Sequence, residues 1–310
     1  MPLVAATGDI LVKSVLIATD FSEASEKALR HALAIARHYQ AKLYIAYVVA
    51  ERSFTLVGPE AVEVATESAT RDARQLEEDL VRRGALAGVT HEVIVRQGNV
   101  WEELEEIVTQ KQVDLVVIGT HARQGLGKLL LGSVAERIFH QAECLVLTVG
   151  PGCLGDSPVG SARAIRPFLF ATDFSVPSLH ALPYAISSAN HFGTKLVLLN
   201  VVSEVPMPEG FSRPTAADVL RQQEMVRAAN LRRLEELTSR NPKLAIAPEF
   251  VVEFGSPADE ILQVADTLQT DAIILGLESS TRGGAVSHMP WATAYDVACG
   301  AGCAVLTVRN

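Results

Sequence analysis

The chain repeats itself, and this repeat constrains the fold more than any other feature of the sequence. Residues 168–175 read Phe-Leu-Phe-Ala-Thr-Asp-Phe-Ser and match residues 15–22, Val-Leu-Ile-Ala-Thr-Asp-Phe-Ser. Residues 14–49 and 167–202 align without gaps and share 16 identities in 36 positions, where about two or three are expected by chance. A duplication of this length predicts two copies of one fold.

Short apolar segments alternate with helical patterns within each copy. The first copy has five such segments, which we interpret as strands at residues 14–19, 43–49, 91–96, 114–118 and 144–149. The alternation predicts an α/β fold, with two tandem, doubly wound, parallel five-stranded sheets that carry helices on both faces. We expect domains at residues 1–150 and 166–310, joined by a linker at 151–165 that is rich in Gly, Ser and Pro.

Composition excludes several classes of partner. The 310 residues carry 27 Lys and Arg against 36 Asp and Glu, a net charge of −9, so extended binding to nucleic acid or to an anionic membrane is not expected. We expect neither a signal peptide nor a membrane-spanning segment, and we predict a cytoplasmic protein. Cys299 and Cys303 have no further ligands nearby, while Cys144 and Cys303 occupy equivalent positions, which favours buried thiols over a metal site.

The stretch from residue 115 to residue 134 has the pattern of a phosphate site. A buried strand ends at Gly119, a loop follows, and a helical pattern begins at Ser133, which we predict to be the N-cap. Unpaired N–H groups at a helix start attract anions. Glycine at 119 and 132 predicts that the backbone approaches a ligand without a Cβ atom in the way.

Two common phosphate motifs are excluded in this loop. Residues 127–132 have the spacing of a P-loop, but Ser133-Val134 follows where Lys-Ser or Lys-Thr is required. The pair Gly125 and Gly127 lacks the third glycine of a dinucleotide fingerprint, and no strand directly precedes it.

The chain resembles a tandem member of the universal stress protein family, which has an adenine nucleotide α-hydrolase-like fold. The resemblance covers nearly the whole length and rests on Ala-Thr-Asp-Phe-Ser after the first strand, on Val48-Val49 and on the glycine loop. The nucleotide motif of that family is Gly, two residues, Gly, nine residues, then Gly-Ser or Gly-Thr. This chain has Gly119, two residues, Ala122, nine residues and Gly132-Ser133. The alanine adds one methyl group, which is tolerated at negative φ and costly at positive φ.

The resemblance implies that ATP or a related adenine nucleotide, with or without Mg²⁺, binds at the carboxyl ends of strands one and four. Asp20 would then hydrogen-bond the adenosine portion, and the backbone of Val48 would meet the adenine. Gly132, Ser133 and Val134 would hold the terminal phosphates. The implied site comprises Ala18, Thr19, Asp20, Val48, Ile118, Gly119, His121, Ala122, Arg123, Gly132, Ser133 and Val134.

The second copy departs from the motif at the loop-to-helix junction. Trp291 stands at the place of Gly132, and Ala292 at that of Ser133. We therefore predict that the second copy keeps the fold and binds no nucleotide. Pro183, inside its first helix, predicts a kink.

Three functions remain open at this point. The first is a stress-response regulator that binds ATP in the first copy. The second is an interaction scaffold in which Ala122 blocks the pocket. For Asp20 the alternative to ligand binding is the role of a turn carboxylate, which its counterpart Asp173 in the second copy favours. The third, slow ATP hydrolysis, ranks last because no general base is evident and His121 has no acidic residue nearby in the sequence.

Each copy ends in a short strand at a sheet edge (residues 144–149 and 303–308). Unpaired edges favour association, and in the family these edges pair. We therefore expect an intrachain pseudo-dimer of the two copies, and the sequence leaves open whether two chains form a homodimer.

Overall fold

The computed structural model describes residues 10–50, 59–120, 132–150, 153, 165–203, 215–239, 244–278 and 290–310. The chain divides into two compact units, of which Leu11–Ala164 and Ile165–Asn310 form the main parts. The expected linker lies outside the described residues except for Cys153 and Ile165.

The first unit is a parallel sheet with a helix between successive strands. Its elements are β1 (Ser14–Ala18), α1 (Glu23–Tyr39), β2 (Lys42–Ala50), α2 (Pro59–Arg82), β3 (His91–Gly98), α3 (Val100–Gln110), β4 (Leu115–Gly119), α4 (Ser133–Gln141) and β5 (Leu145–Val149). Parallel pairing gives the strand order β3-β2-β1-β4-β5. In the register of this sheet Ile17 lies between Ile45 and Val117.

The second unit repeats this topology. Its elements are β6 (Phe168–Ala171), α5 (Val176–Phe192), β7 (Leu196–Val202), α6 (Ala216–Ser239), β8 (Glu249–Phe254), α7 (Pro257–Thr267), β9 (Ala272–Leu277), α8 (Pro290–Gly300) and β10 (Ala304–Arg309). The order is β8-β7-β6-β9-β10, and all neighbours are parallel. Pro183, where a kink was expected, lies inside the single helix α5.

The predicted fold class is confirmed in both units. Because crossovers between parallel strands are right-handed, α1 and α2 cover one face of the first sheet, and α3 and α4 cover the other. Strand order reverses between β1 and β4, so the connections leave a crevice at the carboxyl ends of these two strands. The central strand is buried on both faces, with Val15, Leu16 and Ile17 each 0% exposed.

Side chains of Ser and Asn cap three of the described helices, and one helix starts differently from the prediction. Ser22 and Asn99 cap α1 and α3 by accepting hydrogen bonds from backbone amides, and Ser175 does the same for α5. The prediction that Ser133 is an N-cap was wrong. Gly132 is the N-cap residue and Ser133 is the first residue of α4, so this helix has no side-chain cap.

None of the described helices is both long enough and apolar enough to cross a membrane.

Candidate functional site

A cavity of about 270 Å³ opens at the carboxyl edge of the first sheet, at the reversal of strand order. Nine of the twelve residues implied from the sequence line it: Ala18, Thr19, Asp20, Val48, Ile118, Gly119, Gly132, Ser133 and Val134. The other three, His121, Ala122 and Arg123, lie outside the described residues. The strand ends therefore form one wall, and the start of α4 forms another.

The turn after β1 holds Asp20 at the edge of the cavity. Its Oδ1 accepts a hydrogen bond from the Ser22 amide at 3.0 Å, and the Phe21 amide donates to Thr19 Oγ1 at 3.1 Å. Phe21 has a φ of 60°, which an L-residue adopts only under such constraint. Asp20 is thus a turn carboxylate, and its side chain is exposed towards the cavity.

Gly119 and Gly132 lack a side chain for different reasons. A Cβ atom on Gly119 would lie 2.5 Å from the carbonyl carbon of Ala24 in α1, so glycine is required here by helix packing. The sequence interpretation, in which Gly119 clears space for a ligand, was wrong. A Cβ atom on Gly132 would meet nothing within 4 Å. The open space at Gly132 belongs to the cavity.

The first residues of α4 lie at the cavity. The amide of Glu136 makes the first intrahelical bond, to the Gly132 carbonyl at 2.8 Å. The amides of Ser133, Val134 and Ala135 precede that bond, and all three residues line the cavity. Together with the positive end of the helix dipole, they can accept an anionic group.

Sequence reasoning missed the apolar wall of the cavity. Val100 and Leu104 of α3 and Ile138 of α4 line it opposite the strand ends. A signal was present, because residues 98–100 start a helix at the carboxyl end of β3, the edge at which α/β sheets bind ligands. Among the described lining residues, Asp20 is the only acidic one and none is basic.

Comparison with known proteins identifies the family. Residues 12–150 and 164–309 each match the model of the universal stress protein family.

The chain belongs to the universal stress protein family.

One relative matches this universal stress protein over nearly its whole length, and another over about half of it. One from Mycolicibacterium smegmatis is 28% identical over 305 residues, which cover 95% of this chain and 96% of the relative. Universal stress protein MJ0531 of Methanocaldococcus jannaschii is 34% identical over 143 residues, which cover 46% of this chain and 84% of the relative. The crystal structure of a universal stress protein from Archaeoglobus fulgidus shares the fold, with a TM-score of 0.66, 21% identity and coverage of 96% and 98%.

The second unit has a smaller cavity, of about 170 Å³, at the corresponding place. Asp173 and Val201 line it as Asp20 and Val48 line the first. The turn is repeated too, since Asp173 Oδ1 accepts hydrogen bonds from the amide and the hydroxyl of Ser175, at 2.9 and 2.5 Å. Partial burial acts to raise the pKa of Asp173, but these hydrogen bonds outweigh it and hold the pKa below its ordinary value.

The helix that borders the second cavity begins earlier than its counterpart. α8 starts at Pro290, whereas α4 starts at Ser133, the counterpart of Ala292. Thr293, which lines the cavity, is the fourth residue of α8. Pro290 has no N–H at all. Among the lining residues that the structure describes, those from α8 are Thr293 and Ala294.

No group of three or more potential metal-ligating side chains is found within the part of the chain that the structure describes.

Proposed function

We propose that this universal stress protein binds ATP, or a closely related adenine nucleotide, in the cavity of its first unit and acts as a stress-response regulator. The proposal rests on one observation: Ser133, Val134 and Ala135 line a cavity of about 270 Å³, and their amides precede the first hydrogen bond of α4. These amides suit the phosphates.

The two walls of the cavity suit the two ends of a nucleotide. Val48, Val100, Leu104 and Ile138 offer an apolar slot for the base. Asp20, exposed at the strand end, offers a carboxylate oxygen to the hydroxyl groups of a ribose. This division assigns the adenosine to the strand ends and the phosphates to the start of α4.

The described lining of the cavity offers no basic side chain to pair with the charge of the phosphates. The whole chain carries a net charge of −9, and no Lys or Arg is found among the lining residues that the structure describes. Attraction therefore depends on local amides and the helix dipole. A bound Mg²⁺ would neutralise part of the phosphate charge, and this is the reason for including it in the proposal.

Isothermal titration with ATP tests the assignment. The wild type is expected to bind one ATP per chain. Gly132→Trp is expected to abolish this binding, because the space beside Gly132 is open and an indole there would occupy the phosphate end of the cavity. Gln141→Trp, exposed at the other end of α4, is the matched control and is expected to bind as the wild type does.

The interaction scaffold is the alternative function, and thermal melting distinguishes it. A ligand that binds only the folded state raises the melting temperature. ATP at millimolar concentration is expected to raise that of the wild type and to leave that of Gly132→Trp unchanged. A melting temperature of the wild type that does not respond favours the scaffold.

The pairing of the two units through their terminal strands stays a prediction from the sequence. β5 and β10 are each the last strand in the order of their own unit, and an apolar edge strand without a partner is a liability. Hydrogen exchange tests the pairing. Slow exchange throughout β5 and β10 is expected, whereas β3 and β8, at the opposite edges, serve as controls with alternate amides exchanging fast.

A further inference from the structure

The residue at which the chain approaches β1 is anchored to a helix of the second unit. Ile10 groups with the second unit, whereas Leu11–Ala164 belong to the first. The amide of Ile10 donates a hydrogen bond of 2.7 Å to Ser187 Oγ on α5, and Ile10 is only 6% exposed. The segment that precedes β1 therefore ends on α5.

One side of α5 is buried although it faces away from the sheet. Ser178 marks the inner side, because it lies against Gly276 of β9. At about 100° per residue, Ser187 is turned by half a circle from Ser178, and Tyr184 adjoins it on the outer side. Ser187 and Tyr184 are nevertheless each only 4% exposed. Another part of the chain therefore covers the outer side of α5.

Burial along this outer side extends in one direction from Ser187. Towards the start of α5, Tyr184 is buried and His180 is half-buried. In the other direction His191, one turn beyond Ser187, is exposed. The His180 Nδ1 atom is itself buried and has no hydrogen-bond partner among the described residues. A backbone group that passes His180 would supply this partner.

The residues before Ile10 have the length and the composition to form the cover. Nine extended residues span about 30 Å, whereas Ser187 and His180 are separated by about 10 Å along the helix axis. Residues 1–6 read Met-Pro-Leu-Val-Ala-Ala, and Asp9 carries the one charged side chain among residues 1–9. Such a segment can pack on a helix without burying a charged side chain.

The first copy has no equivalent of this anchor. Ala34 stands on α1 at the place of Ser187 and has no hydroxyl group. The entries into the first strand of each unit are otherwise alike, since the amides of Lys13 and Arg166 donate to equivalent aspartates at 2.8 and 2.7 Å. The anchor on α5 is therefore a feature of the amino-terminal segment and does not follow from the repeat.

We propose that residues 1–9 dock as an extended strap on the outer side of α5, from Ser187 past Tyr184 to His180. The docked strap shields Tyr184 and His180 from solvent, and its release exposes them. The proposal does not depend on nucleotide binding in the first unit, because it uses no residue of that cavity.

Nitration by tetranitromethane, located by peptide mass spectrometry, tests the strap on the full chain. Tyr184 is expected to resist nitration in the wild type. Leu3→Asp combined with Val4→Asp should release the strap, because two carboxylates are not buried without partners, and Tyr184 should then be nitrated. Val64→Asp, at an exposed apolar residue of α2, is the matched control and should leave Tyr184 protected. Tyr44, 7% exposed in β2, should stay unmodified in every folded variant.

Hydrogen exchange of Ser187→Ala provides a second test, in which residues 1–9 are unchanged. Loss of the anchor is expected to speed exchange of the Ile10 amide about fivefold, and residues 3–9 should exchange faster together with it. Ser239→Ala, at an exposed serine of α6, is the matched control and should change neither.

The outcomes decide between the strap and another cover. Protection of Tyr184 in the folded double variant overturns the proposal, because something other than the strap then covers the helix. If the double variant is unfolded, so that Tyr44 is nitrated too, hydrogen exchange decides. Faster exchange of residues 3–9 together with Ile10 in Ser187→Ala supports the strap, and faster exchange of Ile10 alone overturns it.

Discussion

Gly119 lies so close to Ala24 that a Cβ atom on the glycine would stand 2.5 Å from the alanine carbonyl carbon. Gly276 has the same relationship to Pro177 in the second unit, at 2.6 Å. The contact brings the first turn of α1, or of α5, onto the end of the fourth strand of its sheet. Because the contact is present in both units, this glycine serves the packing of the fold in each of them.

Gly119→Ala is expected to lower the free energy of unfolding by about 1–3 kcal/mol, the range for overpacking a close contact. Urea denaturation measures the loss. Gly132→Ala is the matched control, because a Cβ atom there meets nothing within 4 Å and φ is −62°. Its free energy of unfolding should stay within about 0.5 kcal/mol of the wild type. Equal losses in the two variants would contradict the packing role of Gly119.

The two serines at helix starts in the first unit are expected to differ in their contribution to stability. Ser22 accepts a hydrogen bond from the Ser25 amide at 3.3 Å, and Ser22→Ala should cost about 1 kcal/mol. Ser133 follows the cap residue Gly132, whose helix has no side-chain cap, so Ser133→Ala should change stability by less than about 0.5 kcal/mol. Thermal or urea unfolding of both variants checks the difference. A larger loss at Ser133 would mean that its hydroxyl caps α4 after all.

Asp114 ties the start of β1 to the start of β4. Its Oδ2 accepts hydrogen bonds from the amides of Lys13 and Ser14, at 2.8 and 3.1 Å, and from the Ser14 hydroxyl at 3.2 Å. Asp114→Ala is expected to lower the free energy of unfolding by about 1–3 kcal/mol, because these donors lose a charged acceptor. Glu105→Ala, exposed on α3, is the control and should have little effect. Comparable effects of both changes would show that the hydrogen bonds contribute nothing.

The sequence predicted strands and their order of connection well, and helix starts less well. Strands were readable because a parallel sheet buries both faces, so that residues 14–18 and 115–118 are continuous apolar runs. The start of α4 was wrong by one residue, since Gly132 and Ser133 are both acceptable caps and the backbone of the preceding loop decides between them. The apolar wall at Val100 and Leu104 could be located only once the strands had an order.

Two equivalent cysteines show that the same position in the two copies can differ in burial. Cys144 and Cys303 occupy the same place before the last strand of each unit, but Cys144 is buried and Cys303 is only half-buried. Sequence equivalence predicted one environment for both. The Thr270 hydroxyl lies 3.5 Å from Cys303 Sγ.

The thiols are therefore expected to react at different rates. Burial raises the pKa of Cys144 to about 11, so at pH 8 its thiolate, the reactive form, is scarce. Ellman's reagent should modify Cys303 faster than Cys144, as measured on variants in which the other cysteines are changed to serine. In urea the two rates should become equal. Faster reaction of Cys144 in the native state would contradict its burial.

The contribution of Asp173 to stability is expected to depend on pH in one direction. Hydrogen bonds from Ser175 hold its pKa in the folded state below the ordinary value for aspartate, in spite of its partial burial. The folded state therefore binds the proton less tightly than the unfolded state does, and stability rises with pH across the interval between the two pKa values. Above the unfolded pKa of about 3.9, the contribution is complete. As the pH falls through the folded pKa, the contribution is lost.

Urea unfolding of the wild type and of Asp173→Asn should show a difference that is constant near neutral pH and shrinks as the pH falls below about 4. A difference that grows on acidification would mean that the neutral form of Asp173 is the one the turn stabilises.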